Sequence, residues 1–387
     1  MMARALKFFG GKIRFDRNEL SGAFGDIGTD FPLVVSMILV SGLDVASVLI
    51  MFGSMQILTG LFYGLPMPVQ PLKAMAVIVI TQKLSGNVLY GGGLAIGLLM
   101  LFLALTGLID WIARVVPKSV VRGVQFGLGL QLATIALKNY VPAEGGIGYG
   151  LAALAFAVTL SLLGNRKYPP APYVILLGLV YAYLFRLDVG GLLGSFSFRL
   201  PHLYFPTAQD LLTGFVVLAL PQIPLSLGNS ILATRQLVED FFPDRPVSVR
   251  KISLTYSLMN LVNPFLGGIP TCHGSGGIAG HYTFGARTGG SVVLYGSLYL
   301  LLGCFLSAGF GEVVQLFPKP ILGVILMFEG LALMRVVRDM MESKADFTIV
   351  LMVGLIAVGL PYGYVIGLVL GTALAYLAKR RLTGLAE

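Results

Sequence analysis

The stretch Gly-Leu-Pro-Met-Pro-Val-Gln-Pro-Leu-Lys, residues 64–73, lies between two long apolar runs. Three prolines, a glutamine and a lysine interrupt what would otherwise be continuous apolar sequence. If the flanking runs cross a bilayer, the backbone is broken at membrane depth, and such breaks are tolerated only where they are buried in protein or line a cavity. This stretch is therefore the first candidate for a binding site.

The composition around this stretch is that of a membrane protein. Of the 387 residues, 56% are hydrophobic and 12% are charged, against roughly 25% charged in an average soluble domain. Apolar runs of about 17 to 25 residues recur from end to end, and each can cross a hydrocarbon core of about 30 Å. They predict an all-α polytopic membrane protein with about 14 transmembrane segments. No cleavable signal peptide is expected, because the first 20 residues are basic and mixed.

The net charge of +9 is explained by topology rather than by nucleic-acid binding. With an even number of segments, all basic clusters fall on one side of the membrane, as the positive-inside rule expects for a cytoplasmic face. We therefore expect a multi-pass protein of the cell (cytoplasmic or inner) membrane, with both termini cytoplasmic and no nucleic-acid partner. The clusters comprise Arg4, Lys7, Lys12, Arg14 and Arg17; Arg114, Lys118 and Arg122; Arg166 and Lys167; Arg245, Arg250 and Lys251; Arg335, Arg338 and Lys344; and Lys379, Arg380 and Arg381.

Two short helices are predicted to begin near the middle of the membrane. The run Ala74 to Gln82 would span only about 14 Å as a helix, too little to cross alone. A second broken stretch, Gly267 to Gly277, precedes another short helix that ends near Gly285. The other spans are predicted near 20–41, 44–63, 92–110, 118–140, 148–163, 172–188 and 211–232, with a connection at 190–210, a basic loop at 235–251 and a ninth span ending near Asn263.

The second half of the chain looks like a weak copy of the first. Residues 117–124 match residues 318–324 at a shift of about 201, and a shift of 201 to 203 also places Pro68 on Pro270. With seven segments per repeat, an odd number, the second copy enters the membrane inverted. Inverted repeats with paired broken helices are typical of secondary transporters whose site lies at the bilayer midplane.

The two half-helices predict an anion site. A helix that begins in mid-membrane points its free N–H groups and its positive end at whatever lies there, and helix N-termini bind phosphate, sulfate and carboxylate groups. Amide, hydroxyl and ammonium donors and bare glycine backbone suit this use. The predicted binding residues at the two N-termini are Gln70, Lys73, Thr271, Cys272, His273, Gly274, Ser275 and Gly276.

Polar residues of the first and eighth spans are predicted to line the same site. The repeat shift places Asp26 on or beside Asn229, and the eighth span also carries Gln222 and Ser226. Strongly polar groups inside a membrane are functional candidates by default. The candidates for carrying a coupled proton are Asp26, Asp30 and His273.

These residues also have structural interpretations, which the sequence leaves open. Lys73 could pair with Asp26 or Asp30 instead of contacting a substrate, and the polar residues of the first and eighth spans could satisfy backbone groups freed by the breaks. His273 and His281 fit packing or hydrogen bonding better than metal ligation, because no carboxylate or thiol cluster accompanies them. Two cysteines define neither a disulfide framework nor a metal site, and no cofactor is expected.

Four blocks, residues 19–29, 66–73, 221–229 and 270–289, resemble the molybdate transporter family, a branch of the sulfate permease superfamily. The resemblance runs over essentially the whole chain, and the second and fourth blocks are the specific ones. It implies two inverted seven-segment repeats, an oxyanion held between the third and tenth segments, and an elevator-like slide of a core domain against a gate domain. Members of the family commonly pair as homodimers.

The resemblance also implies a division of the chain into domains. The expected parts are a cytoplasmic segment at 1–19, the core domain at 20–110 and 211–310, the gate domain at 111–188 and 311–380, an inter-repeat connection at 189–210, and a short tail at 381–387 with no regulatory soluble domain.

The expected function is secondary transport of a tetrahedral oxyanion, with molybdate first and sulfate or tungstate next. A nucleobase or dicarboxylate carrier of the same architecture is the alternative within the fold. An anion channel would not need two discontinuous half-helices, and an enzyme is not expected because no nucleophile elbow or metal-ligand spacing is present. Proton symport is a hypothesis that follows from acidic residues beside an anion site.

Overall fold

The computed structural model of the chain describes residues 13–165 and 167–383, and nearly all of their regular structure is helical. Some of the predicted cytoplasmic features lie outside the described residues, namely positions 1–12 with Arg4, Lys7 and Lys12, together with Arg166 and residues 384–387.

The first half of the chain contains nine helices of six residues or more among its described residues, and one short strand. They are α1 (Arg17–Ala23), α2 (Ile27–Ser41), α3 (Val45–Tyr63), β1 (Val69–Pro71), α4 (Lys73–Gln82), α5 (Gly86–Thr106), α6 (Leu108–Val115), α7 (Lys118–Ile135), α8 (Gly145–Leu162) and α9 (Pro170–Phe185). A π-helical turn, Ala136–Tyr140, extends α7.

The connection between the halves and the second half of the chain are also mostly helical. They contain α10 (Val189–Gly194), α11 (Ala208–Phe241), α12 (Val249–Val262), β2 (Thr271–His273), α13 (Ser275–Thr283), α14 (Gly290–Phe305), α15 (Phe310–Gln315), α16 (Lys319–Arg335), α17 (Lys344–Gly359) and α18 (Gly363–Thr383). Helix α11 is a single bent run of 34 residues in which π-helical turns at Phe215–Ala219 and Ser226–Ala233 alternate with α-helix.

Several helices are long and apolar enough to cross a membrane. Five qualify by length and composition, and up to seven if each of two bent pairs counts as one span. One of the five, Lys118–Leu162, has 45 residues and measures about 68 Å at 1.5 Å per residue, which is about twice a hydrocarbon core. The chain is therefore a multi-pass helical protein, and the count of 14 segments stays a prediction.

The predicted element boundaries were wrong at three places. The basic loop at 235–251 is shorter, because α11 continues to Phe241 and α12 begins at Val249. The span predicted near 92–110 is helix α5, which begins at Gly86 and includes three consecutive glycines that allow close helix packing. The first span is broken between Ala23 and Ile27, where α1 and α2 meet at a bend of 42°.

The two broken stretches meet each other. Strand β1 pairs with β2 antiparallel, with Gln70 opposite Cys272, Val69 opposite His273 and Pro71 opposite Thr271. All six residues are buried. The prediction of two half-helices, each preceded by a short extended stretch, is confirmed in this part of the chain, because α4 and α13 each begin within two residues of a strand.

The outer edges of this two-stranded ladder are closed by carboxamide side chains. Gln56 on α3 donates from Nε2 to the Val69 carbonyl (2.7 Å) and accepts from the Val69 N–H (2.9 Å). Asn260 on α12 does the same for Thr271, at 2.6 Å and 2.9 Å. Sheet edges and unpaired peptide groups are costly when buried, so these two amides make the interior ladder possible.

Replacement of Asn260 by leucine is expected to destabilise the protein, because the Thr271 N–H and carbonyl would be left buried without partners. Each unsatisfied group costs about 1 to 3 kcal/mol, which should appear as a lower apparent melting temperature in detergent. The matched control is Leu258→Ala, at a position 57% exposed on the same helix. Equal melting temperatures for Asn260→Leu and wild type would contradict the assigned role of this amide.

Candidate functional site

The antiparallel ladder places the N-termini of α4 and α13 at its two opposite ends in the interior, because Pro71 lies opposite Thr271 and His273 lies opposite Val69. The two helices have 10 and 9 residues, or about 15 Å each, roughly half of a hydrocarbon core. Neither N-terminus is capped by the side chain of its own N-cap residue, Leu72 or Gly274. Their first backbone N–H groups must therefore find other partners.

At the N-terminus of α4 the partner is a neutral amide. Gln222 Oε1 on α11 accepts from the backbone N–H groups of Ala74 (2.9 Å) and Met75 (3.2 Å). Gln222 Nε2 donates to Ser226 Oγ (3.1 Å), which is 2.8 Å from the hydroxyl of Tyr256. The predicted residues Gln222 and Ser226 therefore belong to a structural network that closes this helix end.

Lys73, the first residue of α4, adds a positive charge at the same end. Its Nζ is buried, and no described residue forms a hydrogen bond with it. Neither Asp26 nor Asp30 forms an ion pair with it among residues 13–165 and 167–383. The structural alternative of a direct pair with these aspartates is thus not what the described residues show.

At the N-terminus of α13 the same helix, α11, supplies a partner. Ser275 donates its hydroxyl to Asn229 Oδ1 at 2.5 Å. Asn229 lies two turns after Gln222 on α11, so one helix contacts the N-termini of both half-helices. The predicted residues Ser275 and Asn229 are thus in direct contact, whereas Gln222 lies at the other half-helix.

Strand β1 contributes Gln70, which is completely buried. Gln70 Nε2 donates to Asp26 Oδ1 at 2.6 Å, while its Oε1 lies directly over Gly274, where an added Cβ would overlap it. Asp26 sits in the break between α1 and α2, so the broken first span brings a carboxylate into contact with the broken third.

Two buried carboxyl groups, those of Asp26 and Glu329, lie against the N-terminus of α13. A Cβ at Gly277 would meet Asp26 Oδ2, and a Cβ at Gly276 would meet Glu329 Oε1. Asp30, one helical turn after Asp26, is also fully buried, and no described residue donates a hydrogen bond to either of its oxygens. The interior therefore holds more acidic groups than an anion site was expected to contain.

Glu329 was not among the residues selected from the sequence. It lies on α16, is fully buried, and accepts a hydrogen bond from Thr29 Oγ1 at 2.8 Å. The rule that selected Asp26, an ionisable group inside an apolar run, would also have selected Glu329. Its contact with Thr29, 300 positions away in the sequence, was not accessible to any pattern.

Thr271 and His273 point to α12 rather than to the helix ends. Thr271 Oγ1 accepts from Asn263 Nδ2 (3.1 Å). His273 Nδ1 is 3.2 Å from the Pro68 carbonyl and Nε2 is 2.8 Å from Thr255 Oγ1. A carbonyl can only accept, so Nδ1 carries the proton and Nε2 accepts from the hydroxyl. Both ring nitrogens of His273 are thus engaged by structural partners.

The remaining cysteine and histidine candidates are also buried. Cys272 lies opposite Gln70 in the ladder, and its thiol is free. His281 Nδ1 is 3.0 Å from Ser291 Oγ. Within the described part of the chain, no group of three or more histidine, cysteine, aspartate or glutamate residues is arranged to hold a metal ion.

A cavity of about 420 Å³ opens next to the N-terminus of α4. Lys73 and Ala74 form one wall together with Thr29, and the opposite walls are mostly apolar side chains of α7, α16, α17 and α18. Residues of α13 do not line it. The cavity thus gives access to one of the two half-helices, at the end that carries the ammonium group.

Comparison with known proteins yields a family model and curated relatives. The family model described as "Molybdate transporter of MFS superfamily" matches residues 18–132 and 214–333. Molybdate transporter 2 of Arabidopsis thaliana is 34% identical over 380 residues, covering 86% of this chain and 81% of that protein. Molybdate transporter 1 of Chlamydomonas reinhardtii is 26% identical over 472 residues, covering 91% and 90%.

The fold is similar to two solved anion transporters. The transmembrane domain of the cyanobacterial bicarbonate transporter BicA matches with a TM-score of 0.55 at 16% identity, over 94% of this chain and 98% of that one. Murine Solute Carrier 26 family member A9, in the inward-facing state, matches with a TM-score of 0.64 at 14% identity, over 98% and 71%. At such low identity these matches show the fold alone.

Replacement of Gly274 by alanine should disrupt the junction of the two broken stretches. The φ of Gly274 is −115°, which any residue can adopt, so the effect is purely steric: the new Cβ overlaps Gln70 Oε1. We expect a loss of about 1 to 3 kcal/mol, measured as a lower melting temperature. Gly146→Ala is the matched control, because a Cβ there meets nothing within 4 Å. Similar stability of both variants would show that Gln70 moves aside freely.

Proposed function

Because the chain belongs to the molybdate transporter family, we propose that it is a secondary active transporter that carries molybdate across the cell membrane by an elevator-type movement. The family relationship and the BicA-like fold support transport of an anion. Sulfate and tungstate, which share the tetrahedral shape and the double negative charge, are the next substrates. No observation favours a nucleobase or a dicarboxylate, or an anion channel.

The observation that carries this proposal is the buried ammonium group of Lys73 at the N-terminus of the half-helix α4. Its Nζ has no described hydrogen-bond partner, and the side chain lines the cavity. A buried unpaired cation is costly, and a divalent anion that enters the cavity removes that cost. Lys73 therefore contacts the substrate in our proposal, whereas Gln222 and Asn229 organise the helix ends.

The strand register supports the proposed inverted repeat of seven plus seven segments. A shift of 202 residues converts Gln70 into Cys272, and these two residues lie opposite each other in the ladder. The same shift converts the pair Val69 and His273 into Thr271 and Pro71, which is also an observed pair. The ladder is thus self-consistent under the repeat, as expected if a pseudo-twofold axis passes through it.

The proposed core domain comprises residues 20–110 and 211–310, and the gate domain comprises residues 111–188 and 311–380. With both termini cytoplasmic, the turn between α17 and α18 at residues 360–362 faces outwards. Leu360 and Tyr362 line the cavity, so the cavity opens to the outside in this orientation. An elevator movement would carry α4 and α13 past α7 and α16 to the cytoplasmic side. We also propose a homodimer, as is common in the family.

Proton symport remains part of the proposal. Asp26 and Asp30 lie next to each other in the interior. Their oxygens accept too few hydrogen bonds from the described residues to stabilise two negative charges. His273 fits this role less well, because both of its ring nitrogens are held by Pro68 and Thr255. Uptake into proteoliposomes should therefore rise with an inward proton gradient.

Titration of the purified protein with molybdate, sulfate and uracil tests the substrate. We expect the tightest binding for molybdate and none for uracil. Lys73→Gln should weaken molybdate binding by about tenfold to a hundredfold, because a charge-assisted contact contributes about 1.5 to 3 kcal/mol. Lys83→Gln, at the exposed C-cap of the same helix, is the matched control and should leave the affinity unchanged.

Two results of this titration would count against the proposal. Sulfate binding tighter than molybdate binding would overturn the substrate assignment, and uracil binding would overturn the anion site itself. Unchanged molybdate affinity in Lys73→Gln, combined with a lower melting temperature, would make Lys73 a structural residue.

An ion-pair network offers a test of the elevator movement. Arg122 on α7, in the gate, binds Asp240 on α11, in the core, at 2.6 Å, and Asp339 after α16 at 2.6 Å. It lies at the predicted cytoplasmic end, opposite the cavity. In our proposal the Arg122–Asp240 pair closes the cytoplasmic side while the cavity is open outwards.

Asp240→Asn should therefore shift the protein towards the inward-facing state. Loss of a partly buried charge pair of about 1 to 2 kcal/mol changes the equilibrium by about fivefold to thirtyfold. A cysteine introduced at Val77, which lines the cavity, should then react more slowly with a membrane-impermeant maleimide added outside whole cells. Glu239→Gln is the control, because within the described part of the chain the ion pair of Glu239 is with Arg235 on its own helix. Equal labelling rates in both variants would refute the proposal that the Arg122–Asp240 pair closes the cytoplasmic side.

A further inference from the structure

Glu329 joins parts of the chain that the proposed mechanism moves apart. It lies on α16, in the gate, and is fully buried. Its Oε2 accepts from Thr29 on α2, at 2.8 Å, and its Oε1 lies against Gly276 in the first turn of α13. Both α2 and α13 belong to the core, so the Glu329 carboxyl group crosses the core–gate boundary at the centre of the molecule.

The position of Glu329 Oε1 is that of an anion at a helix N-terminus. An added Cβ at Gly276 would clash with this oxygen, so the carboxyl group rests on the bare backbone of the first helical turn. No described residue donates a hydrogen bond to it from a side chain or from the backbone. A carboxylate at such a place interacts favourably with the helix dipole, as a bound oxyanion would.

The N-termini of the two half-helices therefore carry opposite charges. The N-terminus of α4 has a neutral amide cap from Gln222 and the ammonium group of Lys73. The N-terminus of α13 has the carboxyl groups of Asp26 and Glu329 beside Gly277 and Gly276. An oxyanion is attracted by the first end and repelled by the second as long as these carboxyl groups are ionised.

The titratable groups that face Glu329 come from several helices. The charged ones are Asp26 and Asp30 at the start of α2 and Lys73 at the start of α4. The hydroxyl of Tyr140, after α7, is a neutral group. With all four charged side chains ionised, three negative charges and one positive charge share a water-poor interior. Entry of a dianion requires that at least one of the carboxylates be neutralised.

We propose that Glu329 is an internal anion that occupies the N-terminus of α13, and that oxyanion binding requires this carboxylate to take up a proton. The Glu329 carboxylate and one proton form the neutral acid, which no longer repels an oxyanion bound beside Lys73. Glu329 is thus a positioning residue that couples proton uptake to anion binding. This inference rests on the proposed function.

The geometry also assigns Glu329 a role in the movement. Thr29 and Gly276 would travel with the core, whereas Glu329 would stay with the gate, so the contact exists in only one of the two positions. Protonation weakens the interaction of the carboxyl group with the helix end, and it removes the negative charge that strengthens the hydrogen bond donated by the Thr29 hydroxyl. Anion loading and release of the core from the gate then share the same protonation step.

The test is a calorimetric titration of the purified protein with molybdate between pH 6 and pH 8. If one proton is taken up when molybdate binds, the dissociation constant of the wild type rises by up to about tenfold for each unit by which the pH is raised. The reason is that proton binding and molybdate binding are linked. Glu329→Gln has the shape of the neutral acid, so its dissociation constant at pH 8 should be at least about tenfold lower than that of wild type. Its pH dependence should be flatter by one proton.

Two further variants keep the result interpretable. Glu342→Gln, the same substitution at an exposed site beyond α16, should retain the wild-type affinity and slope. Gly276→Ala keeps Glu329 but excludes its carboxylate from the helix end, and it should also flatten the pH dependence. It serves as the test if Glu329→Gln does not fold.

The outcomes separate this inference from the proposed function. If the wild type binds molybdate and Glu329→Gln has the same affinity and the same slope, the inference is overturned while the proposed function stands. If the wild type binds no molybdate at any pH, the proposed function is overturned and the inference with it. Proton uptake measured in two buffers of different ionisation enthalpy should be about one lower in Glu329→Gln.

Discussion

The structure depends on one constraint: where the backbone of a membrane protein leaves the helical pattern, its N–H and carbonyl groups must still find hydrogen-bond partners. Residues 65–72 and 267–274 lie outside the helices and are buried, in an interior where water is scarce. The chain solves this by pairing the two breaks as a short ladder and by closing both outer edges with the amides of Gln56 and Asn260. Each break thus supplies hydrogen-bond partners to the backbone of the other, which links the two halves of the chain.

This solution fixes the location of the site. Because each strand leads directly into a half-helix, antiparallel pairing of the strands also places the N-termini of α4 and α13 at the two ends of one short ladder. Helix α11 then contacts both ends, through Gln222 at one and Asn229 at the other. The polar groups beside the proposed site therefore also stabilise the backbone of these helix ends. Polar residues around such a break cannot be divided cleanly into structural and functional ones.

The sequence predicted the breaks well because prolines and glycines report on backbone geometry directly. The half-helix predicted from Ala74 begins at Lys73, and the repeat shift that places Pro68 on Pro270 identified the second break as the equivalent of the first. The pairing of the two breaks as strands was not predicted. Side-chain direction was harder to predict. Alternate residues of a strand face opposite sides, so Thr271 and His273 turn together towards α12 while Cys272 faces the other way. A list of consecutive residues could not separate these two faces.

Long-range contacts account for the remaining differences between prediction and structure. Glu329 reaches Thr29 and Gly276 only because α16 packs against the core, and no local pattern encodes that contact. The extension of α11 to Phe241 is explained in the same way, since Arg122 on α7 holds Asp240 near the end of that helix. Charged residues that read as loop or topology signals in the sequence are part of the interior packing.

The repeat makes the backbone nearly symmetric, but the charges are not symmetric. At a shift of 202 residues, Lys73 corresponds to Ser275 and Gln70 corresponds to Cys272, so only one half-helix begins with a cation. Carboxyl groups gather instead at the other. A symmetric pair of helix dipoles would hold an anion equally from both sides. In the proposed mechanism the asymmetric charges give the two ends different tasks, with α4 attracting the anion and α13 responding to protonation. The proposed coupling of an anion to protons would thus arise from a few side chains placed on a duplicated backbone.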